Sequence, residues 1–241
     1  MPTLLSQIEK LHARVNLFHP DQRILIGLSG GVDSMVLLAV LSEMRHVLPF
    51  PVELQAAYVA VRQVALPEES IVLMRETCRR RGVGFTTLQE STAENNAFNC
   101  YRCARTRRQA LFEFGVQNRF DTLALGHNQD DFLETGLMNL IFHGRLESLL
   151  PKQPMLAGRL TIIRPLLDIP KKHIRAFAKS TQLTYLTDAC PYHLTNRRET
   201  IRSLLRELSR INRQARANLL KAIANGQKAN PSAAEKIVLS L

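Results

Sequence analysis

The sequence contains no tryptophan and only four tyrosines, and aromatic residues make up 6% of it. Its core must therefore be filled by Leu, Ile, Val and Met. Glycine and proline number 11 each in 241 residues, which excludes collagen-like and low-complexity classes. No apolar run approaches the roughly 18–20 residues of a membrane span, so no membrane partner or integral membrane protein is expected. The first twenty residues, MPTLLSQIEKLHARVNLFHP, carry charge throughout and show no apolar signal core. Cysteine is scarce too. Cys78, Cys100, Cys103 and Cys190 are too few for a disulfide scaffold in a chain of this length. A reducing, cytoplasmic location is expected, where clustered cysteines serve metal or redox chemistry.

Acidic residues are also in deficit: 21 Asp and Glu stand against 32 Lys and Arg, a net charge of +11. Such an excess points to a polyanionic partner, most often nucleic acid. It is concentrated after Asn196, where ten Lys and Arg face three Glu. Arg197, Arg198, Arg202, Arg206, Arg210, Arg213 and Arg216 recur mostly at steps of three or four. That spacing predicts one basic stripe on a helix, suited to RNA or DNA phosphates.

What is present in quantity is apolar residue, 45% of the chain, enough for one large or two small domains. The N-terminal twenty residues read as an amphipathic helix with Leu4, Leu5, Ile8, Leu11 and Val15 on one face. RILIGLS, PVELQAAYVAV, FTTLQE, DTLALGH and LTIIRPLL read as strands. Helical segments separate them, and NRRETIRSLLRELSRINRQARANLLKAIA reads as a helix near the end. Strands alternating with helices predict an α/β fold with a doubly wound parallel sheet and a helical C-terminal extension. The expected divisions are an N-terminal helix over 1–22, a nucleotide-binding domain over 23–170 and a basic helical region over 171–241.

Three segments follow strands, where ligands bind in such sheets. The first is Ser29, Gly30, Gly31, Val32, Asp33, Ser34. Two glycines let backbone N–H groups approach a ligand, two serines add hydroxyls, and the following helix adds its positive end. The segment predicts a phosphate cradle, and without a lysine after the second glycine it is not a GxxxxGK[ST] loop. The second is LGHNQDDFLET, in which Gly126 and His127 end a strand and Asp130 and Asp131 open a helix. Paired carboxylates there suit helix capping or a Mg²⁺ ion bridging phosphates. His127 reads as structural or nucleotide-lining. The third is NCYRCARTRR, a CxxC pair at Cys100 and Cys103. With Cys190 and His193 it would suit a structural zinc; three thiolates alone would suit an iron–sulfur cluster with one open iron. A redox pair lacks its thioredoxin-like context. Cys78, mid-helix, reads as a packing residue.

SGGVDS resembles the SGGxDS signature of the PP-loop ATP pyrophosphatases, and the resemblance implies a loop that grips pyrophosphate. CxxCxxxRR, LGHxxDD, FHGRLESLLPKQ and IIRPL, in that order and followed by a later cysteine, resemble the tRNA 2-thiocytidine synthetase (TtcA) family from about Arg23 to Leu205. What this implies is ATP-dependent tRNA thiolation, with adenylation of a base carbonyl followed by sulfur transfer. It implies ATP, Mg²⁺ and a 4Fe-4S cluster on Cys100, Cys103 and Cys190. It implies catalytic roles for Asp131 and Arg107, nucleotide contacts by Ser29, Gly30, Gly31, Asp33, Ser34, Gly126, His127 and Asp130, and RNA contacts by Arg108, Arg197, Arg198 and Arg202. A sulfur donor protein or sulfide and a homodimer are the partners implied beside tRNA. Val32 stands where the family usually has lysine, a form found in tRNA-Ile lysidine synthetases, which lack the cysteines. The alternatives are a diverged PP-loop enzyme that adenylates another RNA or a small sulfur acceptor, and a non-catalytic iron–sulfur RNA-binding protein.

Overall fold

The computed structural model describes residues 3–90, 100–187 and 197–229. Among them lie eight α-helices, α1 (Leu4–Val15), α2 (Val32–Met44), α3 (Glu68–Arg80), α4 (Cys100–Gln117), α5 (Gln129–His143), α6 (Lys171–Ser180), α7 (Arg197–Ile211) and α8 (Ala215–Ala229). Six strands accompany them: β1 (Gln22–Leu28), β2 (Val52–Ala60), β3 (Gly84–Gln89), β4 (Thr122–Ala124), β5 (Lys152–Met155) and β6 (Leu160–Ile163). No helix among the described residues is long and apolar enough to cross a membrane.

The strands form one sheet in the order β3-β2-β1-β4-β6-β5. All neighbours are parallel except β5 and β6, which are antiparallel. β5 is an addition to the five strands predicted: KQPM has no apolar alternation, and Pro154 is tolerated because β5 is an edge. Alternation in β1 decides which residue meets which layer. Ile24, Ile26 and Leu28 join a core with α1, α2, α3 and α6; Leu25 faces the other way, toward Ala110 and Leu111 of α4. Leu4, Ile8 and Leu11 of α1 belong to that first core, and Cys78 is fully buried there. A third cluster, Leu133, Leu137, Ile201, Leu205 and Ile223, holds α7 and α8 against α5.

α4 begins at Cys100, so the CxxC pair lies in its first turn. One feature differs from expectation. The long basic helix is broken near Asn212, whose side-chain oxygen accepts from Gln214 N at 2.8 Å. An Asx-type bond of this kind satisfies the backbone outside the helix, and the chain folds back as α8. The single stripe of arginines is therefore split between two helices.

Candidate active site

β1 sits between β2 and β4, and the order of connection reverses there. The crevice outside the carboxyl ends of β1 and β4 is the position such sheets give to ligands. Ser29–Gly31 leave β1 into that crevice. Gly30 has φ +78°, and a Cβ there would stand 2.5 Å from Leu186 Cδ1, so both the turn and the packing require glycine. Leu186 N donates to Gly30 O at 2.9 Å, which ties the loop to the segment after α6. Ser34 Oγ accepts from Ser29 N at 3.1 Å and donates to Gly31 O at 3.0 Å. Gly31 N donates to Ser29 Oγ at 3.4 Å. The serines therefore hold the loop's shape. The residue opening α2 against it, Gly31, makes no side-chain cap, so the helix's first N–H groups have no side-chain acceptor from that position.

Gly126, after β4, lies directly against this loop. A Cβ there would be 3.0 Å from Asp33 C and 3.1 Å from Ser34 N. Asn128 then caps α5: its side-chain oxygen accepts from Asp130 N at 2.9 Å and Asp131 N at 3.3 Å, and its own N–H donates to Asp131 Oδ2 at 3.0 Å. The capping role read for the acid pair is thus present. The cap also joins the two motifs, since Asn128 Nδ2 donates to Asp33 Oδ1 at 3.2 Å.

Three acids, Asp33, Asp130 and Asp131, meet three cations. Lys171 Nζ pairs with Asp33, and Lys171 N donates to Asp130 Oδ2 at 2.8 Å. Arg216 pairs with Asp130 Oδ1, and Arg198 Nη1 lies 3.6 Å from Asp131 Oδ1. Burial pushes the Asp131 carboxyl up to about 6, with the Asp33 and Glu134 charges adding to it and the Asn128 N–H and Arg198 opposing. One turn along α5, Glu134 accepts from Arg202 Nε at 2.7 Å and Nη2 at 3.2 Å. His127 is driven to its neutral form, well below the usual histidine range, by burial and then by the charges of Arg164, Arg198 and Arg108.

α4 runs opposite to the parallel strands it covers, so its first turns lie at the same edge of the sheet. Cys103, Ala110 and Leu111 face the sheet, and Arg107 follows Cys103 by one turn. Cys103 is buried. Cys100 opens the helix, while Cys190 and His193 lie outside the described residues. Among the described residues no three Asp, Glu, His or Cys side chains converge as a ligand set.

The structure thus brings together Ser29, Gly30, Gly31, Asp33, Ser34, Gly126, Asp130 and Asp131. It turns Arg198 and Arg202 toward acids of α5 instead of an open phosphate surface. Arg197 lies over the Phe142 ring at 4.9 Å. Lys171 is not marked in the sequence, and Arg216 reads there only as part of the basic stripe, because nothing local marks a lysine or arginine as the partner of a distant aspartate.

The PP-loop domain family matches residues 2–209 of the chain. A tRNA-cytidine(32) 2-sulfurtransferase from Geobacter metallireducens is 32% identical over 222 residues, covering 89% of this chain and 86% of that protein. Another, from Geotalea uraniireducens, is 30% identical over 233 residues, covering 92% and 90%. The U34-tRNA thiolase NcsA from Methanococcus maripaludis, solved with its 4Fe-4S cluster, shares the fold: TM-score 0.77 at 21% identity, over 92% of this chain and 77% of that one. Extent and degree of likeness agree with the crevice chemistry, and the chain belongs to the PP-loop family, among the relatives of the tRNA-cytidine(32) 2-sulfurtransferases.

Proposed function

We propose that this chain is an ATP-dependent tRNA sulfurtransferase that converts a cytidine carbonyl to a thiocarbonyl, in the cytoplasm. The observation that carries the reading is the joined crevice, in which the glycine loop and the Asp131 cap are linked through Asn128. The relatives' likeness over about nine-tenths of the chain supports the substrate class.

Ser29, Gly30, Gly31 and Ser34 hold the pyrophosphate of ATP at the start of α2, where unpaired N–H groups and the helix dipole meet negative charge. Mg²⁺ fits the carboxylate chemistry of Asp130 and Asp131, and would supply charge neutralisation there. Phosphate oxygens would then take over Arg198 and Arg216 from those aspartates. The base carbonyl oxygen attacks the α-phosphorus, and pyrophosphate leaves. Arg107 and its neighbour Arg108 face the charge that develops, and Arg108 and Arg197 contact the RNA. A sulfur anion, from a donor protein or free sulfide, then adds to the base carbon and AMP leaves with the former carbonyl oxygen. The protein's share is positioning and charge neutralisation.

A 4Fe-4S cluster fits the thiolate chemistry of Cys100 and Cys103, one turn apart on α4, with Cys190 as third ligand. When bound it supplies an iron able to hold sulfide. Anaerobic purification, iron and sulfide analysis, and then nucleoside mass spectrometry of tRNA treated with ATP and sulfide test the reading. About four irons per chain and an ATP-dependent 2-thiocytidine support it. Thiolation without ATP, or a protein that holds zinc and modifies no tRNA, overturns it.

A further inference from the structure

α5 carries the crevice acids at its start, but it packs on α7 and α8 rather than on the sheet. Its buried Leu133 and Leu137 share a cluster with Ile201, Leu205 and Ile223, and no strand residue belongs to that cluster. The helix therefore leads away from the crevice, and a rise of ~1.5 Å per residue sets Phe142 about 16 Å along its axis from Asp131. Gly144, at φ +63°, ends the helix there, and Arg145 N donates back to Asn139 O at 3.1 Å. The outside of this last turn is apolar. Leu140, Ile141, Phe142 and Leu146 are all exposed, Ile141 by 51% and Phe142 by 47%. Large apolar side chains gathered on a surface in this way mark a binding face.

Arg197 indicates what that face takes. On α7, Arg198, Arg202, Arg206 and Arg210 pair with acids. Arg197 instead places its guanidinium carbon over the Phe142 ring, 4.9 Å from the centroid. Two consecutive arginines thus reach opposite ends of α5, one to Phe142 and the other to Asp131. Arg145 adds an exposed guanidinium at the rim, 3.7 Å from the carboxylate of buried Glu147. A purely aliphatic face would suit another protein. An aromatic ring with a guanidinium laid on it, beside further positive charge, suits a flat base attached to a phosphate chain. The net charge of +11 favours the same polyanion.

We infer that Phe142, with Arg197 and the apolar side chains beside it, stacks an unpaired base of the same tRNA loop that delivers the target nucleotide to the crevice. The inference rests on the tRNA reading above and adds how the RNA is held outside the crevice. Stacked nucleotides advance ~3.4 Å each along a strand, so about five span the length of α5 between Asp131 and Phe142, within one unpaired loop. The target base enters the crevice, a neighbour in its loop stacks on Phe142, and the strand between them follows α5. Arg197 and Arg145 meet its phosphates. Phe142 touches no reacting atom and is a positioning residue: a second anchor on the loop fixes which base reaches the acids. Stacking reads the flat face that every base has, so the site sets register and not base identity.

The test is equilibrium binding of an RNA stem-loop, with 2-aminopurine placed at successive loop positions, to the full chain and to Phe142→Leu, Phe142→Tyr, Arg197→Gln and Arg197→Lys. A fully paired RNA of the same length is the control, and thermal unfolding and sedimentation accompany each variant. Phe142→Leu keeps an apolar side chain and loses the ring, so stacking predicts a loss of about fivefold or more for the stem-loop, with Phe142→Tyr within about twofold of the parent. Quenching of 2-aminopurine at one loop position disappears in Phe142→Leu. The salt slope stays unchanged in Phe142→Leu and in Arg197→Lys, and falls by about one in Arg197→Gln. Paired RNA binds the parent and Phe142→Leu alike. If Phe142→Leu melts early, Arg197→Gln, on a different helix, decides the matter through the slope and the quenching. Parental stem-loop affinity in a folded Phe142→Leu overturns the inference, and so does an equal loss for paired RNA. A change in sedimentation with RNA affinity intact also overturns it, because the patch would then face another protein or a second copy of the chain. None of these assays needs ATP, sulfide or iron, so failure of the sulfurtransferase reading is read separately, from the modified nucleosides.

Discussion

Glu134 and Arg202 form an asymmetric ion pair whose two halves should fail differently. The Glu134 side chain is 5% exposed and that of Arg202 42%. Arg202→Met removes the cation and keeps much of the aliphatic stem, leaving a buried carboxylate that has lost both guanidinium bonds. Breaking a buried pair in this way costs about 3–5 kcal/mol. Glu134→Gln keeps the shape and one acceptor oxygen. It leaves a guanidinium that already reaches water and still has Glu199 at 3.5 Å, so the loss is nearer ~1–2 kcal/mol. Urea unfolding of both variants, with slopes compared to confirm that the unfolded state is unchanged, measures the difference. The same proteins separate docking from RNA contact. With Arg202 committed to Glu134, Arg202→Met should leave the salt dependence of tRNA binding unchanged once the protein is folded. An RNA contact would lower the slope by about one charge. A larger stability loss in Glu134→Gln than in Arg202→Met would refute the reasoning.

The remaining expectations concern the crevice and the core. Burial raises the Asp131 carboxyl to about 6, so folding favours its protonated form. That contribution is fully present below the ordinary value near 3.8 and is lost as pH rises through about 6. Metal-free Asp131→Asn, which stays neutral, should gain about 1–3 kcal/mol relative to the parent between pH 4.5 and pH 7.5, read by thermal unfolding; a constant gap would contradict the shift. Gly126→Ala would drive a methyl group into the backbone of Asp33 and Ser34, costing about 1–3 kcal/mol and weakening ATP binding. Wild-type affinity by calorimetry would show that the loop does not need that close approach. Burial pushes the Cys78 thiol up to about 12. Under native conditions at pH 8, alkylation mapped by peptide mass spectrometry should leave Cys78 unmodified; rapid labelling would mean that the core around α3 opens.

The chemistry of this protein was written locally. SGGVDS, LGHNQDD and the CxxC pair are short segments whose residue types fix a tight turn, a capped helix start and a thiolate pair, and each can be read without knowing its neighbours. Alternating apolar strands and helices likewise determined five parallel strands and their layers, because burial on both faces demands continuous apolar runs. β5 escaped, since an edge strand needs no such pattern. What only the tertiary structure decided was the pairing of charges. Lys171 and Asp33 are 138 residues apart, Arg216 and Asp130 are 86 apart, and Arg202 and Glu134 are 68 apart. A basic stripe in sequence looks alike whether it faces solvent, RNA or a neighbouring helix. The break at Asn212 turned α8 back on α7 and chose the neighbour for Arg216. The burial of Arg164 is likewise invisible in IIRPL: that its guanidinium meets Leu150 O and Gln153 Oε1 is decided by everything that surrounds the side chain.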